Sequence, residues 1–172
     1  MADEIINRVA NSPLINIDLE DFYPVGERIL FDIKDWLFQG MILKEKEFRQ
    51  YVQAHDWSKY QDTYVALTCS EDAIIPSWAY LLLSTKLAPY AKRVVVGDLI
   101  LLETVLFQEI VINLDIETYK DNPVIIKGCT NKPIPASAYS FLIHRIQSVA
   151  KNIMYGEACS TVPLFKRTRD RF

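Results

Sequence analysis

Short runs rich in β-branched and aliphatic residues, at 64–68, 93–96, 124–127 and 152–155, alternate along this chain with segments of helical periodicity. Strands that alternate with helices of 10–15 residues build βαβ units, so the pattern predicts a parallel sheet with right-handed crossovers. The helices are expected at 76–88, 98–113 and 135–149. Upstream, Leu14-Ile15-Asn16-Ile17-Asp18-Leu19 alternates apolar and polar residues as a half-buried strand does. A further strand is expected at 28–32 and an antiparallel hairpin partner at 36–43, with Gly40 as a bulge. From Lys44 the period changes and Glu45–Arg49 forms an i,i+4 pair, which predicts a helix to about Ala54.

Two stretches resemble each other. Residues 76–97 and 135–156 align without a gap and share seven identities in 22 positions: Pro, Ala, Tyr, Leu, Ala, Lys and Gly. Average residue usage predicts roughly one or two. Pro fits a first helical position, where its missing N–H costs nothing, and Gly closes each following strand. One residue out of phase, Thr68-Cys69-Ser70 matches Gly128-Cys129-Thr130. The expected fold class is therefore α/β, with a mostly parallel sheet built from a duplicated βαβ unit and an N-terminal antiparallel hairpin. A chain of 172 residues fits one domain, 1–172. Within it, 1–60 holds the N-terminal hairpin and helix, 61–160 the duplicated βαβ region, and 161–172 a solvated tail.

Composition narrows the function classes. A formal net charge of −3 is not the usual partner of nucleic acid or of an anionic membrane. No apolar run approaches the roughly 20 residues that span a bilayer. Met1-Ala2-Asp3-Glu4 is acidic where a signal peptide would be basic, so a cytoplasmic location is expected. Three cysteines in a reducing compartment argue against a disulfide scaffold.

The cysteines carry the candidate chemistry. Cys69 and Cys129 each follow a predicted parallel strand, at the edge where open α/β sheets bind ligands, and Cys159 lies three residues past Gly156. All three are expected on one rim, where helix N-termini favour thiolate. Converging thiolates suit a soft metal, so Cys69, Cys129 and Cys159 are candidate ligands for zinc or an iron–sulfur cluster, with Glu157 as a fourth. Ser70, Asp72, Thr130, Ser160 and Thr161 are candidate binding residues on the same rim, together with Glu71 and Asn131. The competing readings are a thiol enzyme, and an interaction module whose cysteines only pack. For a Cys–His pair, His55 is the freer candidate and His144 faces solvent. No Walker or Rossmann glycine pattern is present. The helix from Asp98 is apolar nearly all round, which predicts a homo-oligomer interface or cover by the N-terminal segment.

Several words of the sequence are distinctive: residues 26–35, His55-Asp56-Trp57-Ser58, Pro76-Ser77-Trp78-Ala79-Tyr80, Ile126-Lys127-Gly128-Cys129 and residues 156–163. Through them essentially the whole chain resembles a bacterial family, Domain of Unknown Function 2480. The resemblance brings no assigned activity and no catalytic residues. It implies an association with iron–sulfur assembly gene clusters, and hence iron–sulfur assembly proteins as partners.

Overall fold

The structure, a computed structural model, describes residues 14–128, 131–157 and 160–167. The chain divides into two compact units, one formed by residues 24–106 and the other by 1–23 with 107–172.

In the continuous unit, strands β2 (Arg28–Asp32), β3 (Tyr64–Thr68) and β4 (Arg93–Val96) form an all-parallel sheet in the order β2-β3-β4. Helix α1 (Glu45–Ala54) connects the first pair and α2 (Ser77–Leu87) the second. Val65 and Leu67 of the central strand are fully buried against Ala79, Leu83 and Leu87, the i, i+4, i+8 stripe of α2. Ala66, on the opposite face, packs on Leu102 and Leu106. These belong to the first half of α3 (Leu99–Asn113), whose start is capped by the Asp98 carboxylate accepting from Leu101 N at 2.7 Å.

The other unit holds a four-stranded sheet in the order β1-β5-β6-β7, from β1 (Ile15–Ile17), β5 (Pro123–Ile126), β6 (Asn152–Glu157) and β7 (Ser160–Lys166). The first three are mutually parallel and β7 runs antiparallel to β6. Helix α4 (Ala136–Ile146) joins β5 to β6 and buries Ala138, Leu142 and Ile146. Phe107 and Val111, from the second half of α3, complete this core.

The internal geometry of the units runs in step. Helix α2 begins at Ser77 and α4 at Ala136, 59 residues on. Tyr64 pairs with Arg93 and Pro123 with Asn152 at that same spacing. Asp62 and Asp121 both take positive φ, 60° and 57°, and their amides donate to Tyr90 O and Val149 O respectively.

The α/β class and mostly parallel pairing hold, and three finer expectations are corrected. First, the strands do not share one sheet. Second, no N-terminal hairpin forms: β2 pairs in parallel with β3, and only an isolated antiparallel bridge links Phe38 to Ile42. The Asp32 carboxylate accepts from Lys34 N at 3.0 Å and turns the chain into a 3-10 segment, Lys34–Trp36. Trp36 then packs on Phe31 and Phe48 instead of pairing. Third, the expected tail begins as a strand. β6 runs through Gly156, which pairs with Thr161, and β7 continues to Lys166.

Candidate functional site

The carboxyl edge of each sheet presents an aspartate at the end of its first strand. Asp32 follows Phe31 in β2, and its Oδ1 accepts from Lys34 N and, at 3.1 Å, from Ser70 N. Burial alone would raise this carboxyl, but the Ser70 and Lys34 hydrogen bonds outweigh it and hold Asp32 below the usual range. Asp18 follows Ile17 in β1, and its Oδ1 accepts from Glu20 N at 2.9 Å. Lys127 Nζ donates to Asp18 Oδ2 at 3.1 Å. Burial again raises and the Glu20 amide with Lys127 lowers, leaving Asp18 below the usual range, while Asp18 in turn raises Lys127. Each aspartate therefore ties the end of its strand to the residue or loop that follows the next strand.

In the continuous unit that loop carries Cys69 and Ser70. Cys69 is half-buried, packs against the core beside Tyr80, and its Sγ lies 3.7 Å from Glu71 O. Burial first, then electrostatic repulsion from the side of Cys69 and Asp32, pushes the Tyr80 hydroxyl up. Ser70, Glu71 and Asp72 are exposed.

In the other unit the loop after β5 is held from both sides. Glu20 Oε1 accepts from Asn131 N and from Lys132 N, the latter at 3.0 Å, and Lys132 Nζ donates to Glu20 O at 3.1 Å. On the other flank, Tyr155 Oη donates to Gly128 O at 3.3 Å. A Cβ at Gly128 would lie 2.5 Å from the outer end of the Tyr155 ring, so a side chain there would push that ring aside. Glu157, the last residue of β6, is exposed and pairs with Ser160 across the β6–β7 hairpin. Thr161 pairs with Gly156, and its Oγ1 lies 3.8 Å from Met154 Sδ.

The expected rim of three thiols is therefore divided in one respect. Cys69 follows a strand of the β2-β3-β4 sheet, whereas Glu157, Ser160 and Thr161 belong to the β1-β5-β6-β7 sheet. The reason is the pairing of β1 with β5, which starts a second sheet where a continuation of the first was expected. Cys129, Thr130 and Cys159 lie outside the described residues. Among the described residues, no group of three or more His, Cys, Asp or Glu side chains is arranged as a metal-ligand set. His144 is exposed, and His55 is packed among aromatic rings.

Sequence reasoning passed over Asp18, Glu20 and Asp32. The signal was present: Asp18-Leu19-Glu20-Asp21-Phe22 and Asp32-Ile33-Lys34-Asp35-Trp36 share a pattern of Asp, aliphatic, charged, Asp and aromatic.

The chain matches, over residues 3–167, the family described as "Protein of unknown function (DUF2480)". It belongs to that family. No curated protein and no solved structure matches this DUF2480 chain. Among its described residues, no helix is long and apolar enough to cross a membrane.

Proposed function

We propose that this DUF2480 protein is a non-catalytic accessory protein that holds a soft metal ion, zinc or an iron–sulfur cluster, through Cys129 and Cys159 with Glu157 beside them. One observation carries the reading. The residues flanking these two cysteines are tied to one strand, β6: Gly128, two residues past β5, accepts a hydrogen bond from Tyr155, and Glu157 at the end of β6 is paired with Ser160 of β7. Two thiolates and a carboxylate leave a coordination position for a further ligand, which suits a carrier that passes its cargo on. Lys127, a cation paired with Asp18, lies two residues before Cys129 in the sequence and would favour thiolate there. Ser160, Thr161 and Thr130 would line the same edge. Cys69, in the other unit, is assigned to packing beside Tyr80, with Ser70 and Asp72 on its loop.

Anaerobically prepared protein should carry stoichiometric metal, or iron with sulfide. The load should disappear in Cys129→Ser and Cys159→Ser and persist in Cys69→Ser. Wild-type protein that is metal-free, colourless and resistant to reconstitution would sink the proposal. A second reading, a thiol enzyme, draws on the same Lys127–Asp18 pair. It requires one thiol to alkylate far faster than the others, and uniformly slow alkylation would exclude it. For partners, the exposure of Leu99, Ile100 and Leu101 on α3 supports association with a second copy of the chain, measurable by light scattering.

A further inference from the structure

The 107–172 part of the chain contains a groove of about 300 Å³ between the last turns of α3 and the second half of α4. Its wall from α3 is aliphatic at Val111 and Ile112 and polar at Gln108, and Phe141 of α4 adds an aromatic face. Its polar side comes from Ser140, His144 and Arg145 of α4. Among the described residues no carboxylate lines it, although acidic residues outnumber basic ones in the chain, 22 to 19. Arg145 commits Nη2 to Leu114 O at 3.0 Å, which holds the guanidinium at the groove. Its Nε is enclosed and has no hydrogen-bond partner among the described residues. Enclosed donors without an acceptor are rare in folded proteins.

We propose that this groove binds a small organic carboxylate with an apolar body. The acid would face Arg145, His144 and the Ser140 hydroxyl, and the body would lie on Val111, Ile112 and Phe141. The chemistry is specific on three counts. A guanidinium pairs with a carboxylate through parallel N–H donors. The volume stands at the small end of ligand pockets, so the body is limited to a ring or a short chain. The mixed wall discriminates against a fully hydrated anion such as inorganic phosphate, which would leave the aliphatic side exposed to water.

Phenylacetate, with phenylacetamide as its neutral counterpart, tests the proposal on the full chain by amide chemical-shift titration. Phenylacetate should shift residues 108–112 and 140–145 in a saturable manner, at least tenfold more tightly than phenylacetamide. His144→Gln and Arg145→Gln should each weaken it severalfold. Ile112→Glu, a substitution at an exposed position that places a negative charge beside the acid, should abolish it without unfolding the chain. Equal affinity for the acid and the amide would overturn the proposal. So would shifts scattered outside the groove, affinity in Ile112→Glu unchanged within twofold, or cross-relaxation showing residues 1–13 of the ligand-free chain already seated there.

Discussion

At the scale of single residues, two polar groups packed against aromatic or apolar neighbours have opposite consequences. Glu103 is one of two carboxylates that interrupt the apolar α3, and it is 8% exposed. It accepts from Arg28 Nε at 2.7 Å, while Arg28 Nη1 donates to Pro24 O and Gly26 O and its guanidinium lies 4.9 Å over the Tyr64 ring. Removing one member of such a pair leaves the other charge uncompensated, so Glu103→Ala should cost about 3 kcal/mol in urea denaturation. His55 is the converse case. Its ring lies 4.6 Å from that of Trp57, 5.4 Å from Trp36 and 5.5 Å from Phe31. Burial, then Lys59, lower its pKa, and Asp56 opposes them only in part. Burial pushes Tyr60 up to about 12, so its hydroxyl keeps its proton and can donate to Nε2 of the neutral ring at 2.9 Å. The folded chain thus binds the His55 proton more weakly than the unfolded chain does. Its contribution is complete above about pH 6.5 and is lost as pH falls below that value through the folded pKa. Wild type should therefore lose more thermal stability between pH 7 and pH 5 than His55→Gln does.

At the scale of elements, periodicity was legible and pairing was not. The runs at 64–68 and 93–96 fall where the chain alternation put them, because buried parallel strands are continuous apolar segments bounded by turns. Residues 36–43 misled because Trp36, Phe38 and Ile42 mimic strand alternation, and local sequence does not show that Trp36 is drawn into a cluster with Phe31 and Phe48. Strand β7 escaped notice because Pro163 demotes a run to a loop or an edge, and β7 is an edge strand. Its hairpin sets up a comparison between two glycines. At Gly128 an added methyl meets the outer end of the Tyr155 side chain, which can swing aside, so Gly128→Ala should cost about 1 kcal/mol or less. At Gly156, φ is +121° and the obstacle is Ser160 O at 2.5 Å, part of the backbone. Gly156→Ala should cost about 2–3 kcal/mol and loosen β7. Chemical denaturation of the two variants side by side measures the difference, and equal losses would contradict this account of the hairpin.

At the scale of the whole molecule, the two units have cores of their own. Phe31, Phe48, Val65, Leu83 and Leu87 all lie within residues 24–106, as does the Arg28–Glu103 pair. A fragment of residues 24–106 should fold and unfold cooperatively, whereas residues 107–172 alone should not, because β1 supplies one edge of their sheet. A non-cooperative 24–106 fragment would show that this core is insufficient. The same division explains why the candidate site was only partly readable. The loops after β3 and β5 could be found from strand ends and turn residues, but the clamps on them, Asp32 to Ser70 and Glu20 to Asn131, join positions far apart in the chain. Such links follow from which strands become neighbours, and a three-residue strand such as Ile15–Ile17 gives little notice of its partner. Its register, Ile15 opposite Val124, also has a temporal meaning during synthesis. At about 5–20 residues per second, the first strand made waits roughly 5–20 s for its neighbour to leave the ribosome. The 24–106 segment emerges complete in the meantime, so the nascent chain carries one finished sheet while an apolar Ile-Asn-Ile edge stays open to chaperones or to the wrong strand.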